Sequence, residues 1–154
     1  MQTQMRRISF ALVGYGRFGK HHANVLHHHP NAVVEVICET DHIALQQARS
    51  DFPEAKIYTE PFKMLQEINV DAVSVVSPED THASIVRAAL NNGFHVFCEK
   101  PPGKNPKEIK EVIKVENKMK SIKLKYGFNH RYHDSVVKAK ELIDSGKLFF
   151  NNNF

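Results

Sequence analysis

Apolar residues gather in four short, nearly continuous runs: Ile8-Ser9-Phe10-Ala11-Leu12-Val13, Val33-Val34-Glu35-Val36-Ile37-Cys38, Ala72-Val73-Ser74-Val75-Val76 and Phe94-His95-Val96-Phe97-Cys98. Runs of this length, rich in β-branched side chains, are what strands covered on both faces require. Lys56-Ile57-Tyr58 and Ile122-Lys123-Leu124-Lys125-Tyr126 are weaker strand candidates. Between the runs the spacing turns helical, near residues 18–28, 42–51, 61–68, 82–91 and 106–119. In the last of these, Ile109, Val112, Ile113 and Met119 fall mostly on one face and Lys107, Lys110, Lys114 and Lys118 on the other. Asn105-Pro106 reads as an N-cap and first helical residue, and Asn92-Gly93 as a helix end. Strands separated by helices predict right-handed crossovers and an α/β fold with a doubly wound, mostly parallel sheet.

After Tyr126 the texture changes. Gly127 to Tyr132 reads as a strand exit, and residues 133–144 as another helix ending at Ser145-Gly146. The expected division is an α/β unit over 1–126 and a linking strand and helix over 127–154. The closing Lys147-Leu148-Phe149-Phe150-Asn151-Asn152-Asn153-Phe154 sets three aromatics beside an asparagine run with nothing evident to cover them. It predicts a longer protein cut short here, and its apolar edge would favour association with further copies.

Composition narrows the classes. At 154 residues and 42% apolar, the chain can bury one ordinary core. Lys and Arg exceed Asp and Glu by 21 to 17, a mild preference for anions and no nucleic-acid signature. Glu108, Glu111 and Glu116 interleave the lysines of the last long helix, and no aromatics stand among them as stacking platforms, so no nucleic-acid partner is expected. No apolar run approaches the ~20 residues of a bilayer span, and the opening segment does not read as a signal peptide. Cys38 and Cys98 read as two reduced, buried thiols of a cytoplasmic protein. His21, His22, His27, His28 and His29 suggest metal at first sight. Consecutive residues fan around a helix end instead of converging, so a solvated helix terminus is favoured and no metal is expected.

Gly14-Tyr15-Gly16-Arg17-Phe18-Gly19 is a G-x-G-x-x-G between the first strand and the first helix. Gly14 permits the tight turn, Gly16 lets backbone approach a pyrophosphate, and Gly19 lets helix and strand pack closely; the helix N-terminus supplies N–H groups to the phosphates. Glu39 follows at the end of the second strand, twenty residues after Gly19, where a carboxylate can accept from the adenosine ribose hydroxyls. These features predict a Rossmann-like dinucleotide-binding domain. Glu39, Thr40 and Asp41 disfavour a 2′-phosphate, so NAD is favoured over NADP, although Arg17 could reach a phosphate; Glu39 could also be a solvated strand-end charge. Gly14 to Lys20 also begins a nucleoside-triphosphate loop, but His21 stands where that motif needs Ser or Thr.

Two further strand ends look chemical: Ser77-Pro78-Glu79-Asp80-Thr81-His82 after the fourth run and Glu99-Lys100-Pro101-Pro102 after the fifth. Ligands of open parallel sheets bind at the carboxyl ends of strands. Lys100 there could hydrogen-bond a substrate hydroxyl and assist its proton loss; equally, it could be a solvated lysine paired with Glu99. His82 reads as a helix-start residue near the cofactor.

Taken in order, the glycine loop, residues 77–82, Glu99-Lys100-Pro101 and Gly127-Phe128-Asn129-His130-Arg131-Tyr132 resemble the glucose-fructose oxidoreductase / inositol dehydrogenase / rhizopine-catabolism (Gfo/Idh/MocA) family, from about Arg7 to Leu148. The resemblance implies hydride transfer between NAD(P) and a CH–OH group of a sugar, cyclitol or sugar derivative. It implies a catalytic role for Lys100 beside the nicotinamide, cofactor contacts from Ser77, Pro78, Thr81, His82, Glu99 and Pro101 besides the glycine loop, and a substrate-side place for Arg131. It also implies a second, mostly antiparallel domain carrying a catalytic His and Asp and the oligomer interface, which this sequence lacks. A nucleotide-binding half of such an enzyme is therefore expected, or else an NAD-holding module without turnover.

Overall fold

A computed structural model describes residues 6–146. Six strands, β1 (Ile8–Val13), β2 (Ala32–Cys38), β3 (Lys56–Tyr58), β4 (Ala72–Val75), β5 (His95–Cys98) and β6 (Leu124–Tyr126), form one sheet in the order β3-β2-β1-β4-β5-β6. Every neighbouring pair is parallel. The helices are α1 (Arg17–His28), α2 (His42–Asp51), α3 (Pro61–Glu67), α4 (His82–Asn91), α5 (Pro106–Glu116) and α6 (Asp134–Asp144). Single 3₁₀ turns precede α4 (Glu79–Thr81) and α6 (Asn129–Tyr132).

Because the sheet grows outward from β1 in both directions, right-handed crossovers place helices on opposite faces. Ala23 of α1 and Ala48 of α2 pack with Leu12, Val34 and Ile37 in one core. Residues of α3, α4 and α5 pack with Ala11, Val13, Val36, Val73, Val75 and Val96 in the other and larger one. Val34 and Ile37 share a face although three residues apart. The register of β2 against β1 slips between Phe10 and Ala11, so one extra residue, exposed Glu35, reverses the alternation.

The elements follow the sequence pattern with instructive departures. Asn105 caps α5, its side chain accepting from the Glu108 N–H at 3.0 Å, and Gly93, at φ 84°, closes α4. The predicted helix over 106–119 stops at Glu116, because the Lys118 and Met119 N–H groups donate three residues back, to Val115 and Glu116. Val112 is buried, but Ile113 is 46% exposed: α5 docks along one narrow edge, and the next residue is rotated off it. The 127–132 stretch, read as a strand exit, leaves β6 after Tyr126 and turns at Asn129–Tyr132. α6 buries none of its residues. Residues 147–154, including the predicted aromatic edge, lie outside the described residues.

Backbone hydrogen bonds continue one residue past the strands. Gly14 N–H donates to Cys38, Glu39 to Tyr58, Val76 to Val13, Glu99 to Val75 and Gly127 to Cys98, at 2.8–3.0 Å. The residues that carry the sequence motifs are thereby pinned in a row along the carboxyl edge of the sheet.

Candidate functional site

The strand order reverses between β1 and β4, and there the loops after the two parallel strands diverge to leave a crevice. Its wider part, about 620 Å³, is lined by Gly14, Gly16, Arg17, Phe18, Glu39, Thr40, Asp41, Ser77, Pro78 and Thr81 among others. A narrower part of about 190 Å³ adjoins it, bounded by Phe18, Val76, Ser77, Glu79, His82, Glu99 and Lys100. Phe18, Val76 and Ser77 belong to both, so the two parts form one elongated trough across the switch point.

The three loop glycines are held by three different surroundings. Gly14 has φ 97°, and a Cβ there would stand 2.8 Å from the backbone of Val76 and Ser77. A Cβ on Gly19 would stand 2.1 Å from the Gly14 carbonyl oxygen, so α1 and the end of β1 touch backbone to backbone. Nothing lies within 4 Å of a Cβ built on Gly16, which faces the open crevice. Gly16 is also the N-cap of α1, with no side-chain cap and no acidic residue in the first turn. The N-terminal N–H groups of a twelve-residue helix are thus left for an anion.

Glu39 is built into the glycine loop. One carboxylate oxygen accepts from the Tyr15 N–H at 2.5 Å; the other accepts from Thr40 and Asp41 N–H groups at 2.6 and 2.9 Å. A carboxylate offers about four acceptor positions, so capacity for another donor remains. Tyr15 itself turns away from the crevice: its ring is buried against Phe52 and its hydroxyl donates to Asp51 at 2.8 Å, which with burial holds the phenol far above its ordinary range.

The loop after β4 is self-braced. The Thr81 hydroxyl donates to the Pro78 carbonyl at 2.7 Å, so the 2.6 Å contact between Ser77 and Thr81 is donated by Ser77. His82 is 2% exposed, its two ring nitrogens each 2.8 Å from a backbone carbonyl, of Pro101 and of Ser77. The ring ties the loop after β4 to the loop after β5 and offers the crevice an edge of its ring. Pro101, joined to Lys100 by a cis peptide bond, contributes that carbonyl and does not itself line the trough.

Lys100 is exposed at the narrow end, and among the described residues its ammonium forms no ion pair. The Glu99 carboxylate is engaged instead by His22 of α1, whose Nε2 lies 3.1 Å away, and by the Lys100 N–H at 3.2 Å. The sequence pattern groups His22 with the other histidines; its placement one turn beyond Gly19, on the face of α1 that meets the sheet, separates it from them. Among the described residues no three His, Cys, Asp or Glu side chains converge as a metal site would require. Arg131 lies in the 3₁₀ turn before α6, its guanidinium 6.0 Å from the Tyr132 ring, outside both parts of the trough.

A six-stranded parallel sheet in this order, with a bare helix N-terminus at its switch point, defines a dinucleotide-binding domain of the doubly wound class. The chain belongs to the GFO_IDH_MocA oxidoreductase family, whose NAD-binding Rossmann fold matches residues 8–128. It is 32% identical over 137 residues to the myo-inositol 2-dehydrogenase of Thermotoga maritima, covering 89% of this chain and 41% of that protein. The inositol 2-dehydrogenase of Salmonella typhimurium is 33% identical over 142 residues, with the same coverage. Among solved structures, the apo scyllo-inositol dehydrogenase of Lactobacillus casei superposes with a TM-score of 0.86 at 33% identity, over 95% of this chain and 43% of that one. The same enzyme with NAD(H) and scyllo-inositol gives 0.85 at 32% identity, over 92% and 42%. The chain thus spans about two fifths of the length of its relatives, the part that carries the NAD-binding fold. No described helix is long and apolar enough to cross a membrane.

Proposed function

We propose that this chain is the cofactor-holding half of an NAD-dependent oxidoreductase acting on a CH–OH group of a sugar, cyclitol or sugar derivative. The observation that carries the reading is the trough itself: an N-terminal helix end and Glu39 at its wide part, and an unpaired lysine ammonium at its narrow end, within a family defined by NAD binding.

In this reading Gly16 and the first turn of α1 take the pyrophosphate, and the free acceptor capacity of Glu39 takes an adenosine ribose hydroxyl. Glu39, held by three N–H groups and followed by Asp41, cannot withdraw from a 2′-phosphate, which selects NAD over NADP. Phe18, Ser77, Pro78 and Thr81 wall the passage towards the narrow end, while Tyr15, His82 and Pro101 act through their backbone or as braces. NAD, when bound, supplies the hydride acceptor. Lys100 hydrogen-bonds the substrate hydroxyl and favours its loss of a proton as the hydride departs. Because the relatives are more than twice as long, we assign the principal acid/base, most substrate contacts and any subunit interface to the remainder of such a protein, with Arg131 on the approach to it. We place the boundary at Tyr126/Gly127, since α6 buries no residue against the nucleotide-binding unit. A second reading, kept beside the first, is an NAD-holding module without turnover.

The orientation is tested by amine modification. NAD should protect Lys100 from trinitrobenzenesulfonate, whereas adenosine diphosphate, which lacks the nicotinamide end, should not. Equal protection by both would put the lysine elsewhere than at the nicotinamide end. Production of NADH from inositols or simple sugars by this chain alone would rule out the module reading.

A further inference from the structure

Glu99 and Lys100 are neighbours in sequence and both line the narrow end of the trough, yet their charged groups do not meet. The reason lies on α1. The His22 ring is wedged between the sheet and the helix, tilted against Phe97 with centroids 5.3 Å apart, its Nδ1 3.3 Å from the Ser74 hydroxyl and its Nε2 3.1 Å from Glu99 Oε1. The imidazole and the carboxylate side chains are only 17% and 20% exposed, so the contact is sheltered from water. From the other side, Gly127 at the exit of β6 has no side chain where one would collide: a Cβ there would lie 2.9 Å from both carboxylate oxygens of Glu99. Glu99 is therefore held in a slot made by the glycine-loop helix and the β6 exit.

We infer that His22 is a positioning residue that sequesters the Glu99 carboxylate, and by doing so keeps the Lys100 ammonium unpaired and directed into the trough. The inference rests on the assignment of Lys100 to the nicotinamide end. It also gives the loop that holds the pyrophosphate a mechanical connection to the lysine: α1 begins at Arg17 on the phosphate side and carries His22 to Glu99 one turn and a half later. Without His22, Glu99 has a free ammonium as its nearest available partner, one residue away. The arrangement thereby chooses between the two partners open to Glu99, a helix histidine and the adjoining lysine, and leaves the lysine for the substrate.

Trinitrobenzenesulfonate labelling of the intact chain at fixed pH, read at Lys100 by peptide mass spectrometry with Lys110 as internal reference, tests this. His22→Leu should slow modification of Lys100 by about two- to fivefold, the range an ion pair near the surface corresponds to. His22→Gln, which retains an N–H donor, should restore most of the rate. In the Glu99→Gln background, His22→Leu should have no effect, because an amide cannot form the ion pair. Gly127→Ala pushes the same carboxylate from the opposite side and should also slow Lys100, which keeps the test informative should His22→Leu fail to fold. Unchanged labelling in His22→Leu of native circular dichroism, or equal slowing in both backgrounds, would overturn the inference. A separate arm with NAD distinguishes the two claims: loss of protection by NAD with the His22 effect intact would count against the placement of Lys100 at the nicotinamide end alone.

Discussion

Gly19 and Gly127 both stand where a side chain would collide, and each is fixed by a different neighbour. Opposite Gly19 stands the carbonyl of Gly14, opposite Gly127 the carboxylate of Glu99. A backbone carbonyl cannot yield, so Gly19→Ala should destabilise the fold by about 3 kcal/mol, read as a lower urea midpoint. Gly127→Ala meets a side chain that can swing aside, and its stability loss should be the smaller of the two. The motif reading anticipated close packing at Gly19 because the G-x-G-x-x-G spacing states it. It gave no reason for Gly127, since the carboxylate that excludes a side chain there comes from a residue 28 positions earlier. Cys38 and Cys98 are free and buried as their apolar neighbours imply. Burial, with Glu39 beside one and Glu99 beside the other, pushes both thiols up to about 12. Neither should react with a disulfide reagent at neutral pH until the chain is unfolded, a difference that thiol titration with and without urea measures directly.

At the scale of elements, the buried runs are legible because continuous β-branched sequence has few alternatives, and five of the six helix spans agree to within a residue or two. What escapes is set by contacts across the sheet. Asp71 shows this. It precedes β4, and its carboxylate accepts from the Ser9 N–H at 2.8 Å and the Ser9 hydroxyl at 3.0 Å, stapling β4 to the start of β1. The Ser9 N–H, with help from the Ser9 hydroxyl and Arg6 and against the effect of burial, holds this carboxyl below its ordinary value. A carboxyl depressed on folding contributes stability that is present above its unfolded pKa and is lost as pH falls through the native one. Asp71→Asn should therefore be less stable than the native chain above about pH 5, with the gap closing below about pH 4. Denaturant titrations of both at pH 7 and pH 3 provide the comparison. The exposure of Ile113 has the same origin: helical periodicity marks a face, but the width of the docking edge depends on where α4 lies.

For the molecule as a whole, the strand order follows from crossovers and the position of the glycine loop, and the trough at the switch point follows from the strand order. The sequence therefore indicates the strand ends at which the trough opens before any coordinate does. The coupling of α1 to Lys100 is less accessible, because it is made by His22 and Glu99, 77 positions apart, whose meeting depends on β4 and β5 lying side by side. The exposed apolar positions of α6, Val136, Val137 and Ile143, likewise have no counterpart in the described residues, and the chain spans two fifths of relatives that bear inositol dehydrogenase names. The trough is proposed to hold NAD with Glu39 at its adenosine end. Calorimetric titration of the chain with NAD and with NADP tests it most directly, as the absence of tryptophan removes the usual fluorescence signal. Saturable NAD binding is expected, with NADP binding at least about tenfold weaker and a loss of about tenfold in NAD affinity in Glu39→Ala. Binding of neither dinucleotide, or NADP binding as tightly as NAD, would contradict it.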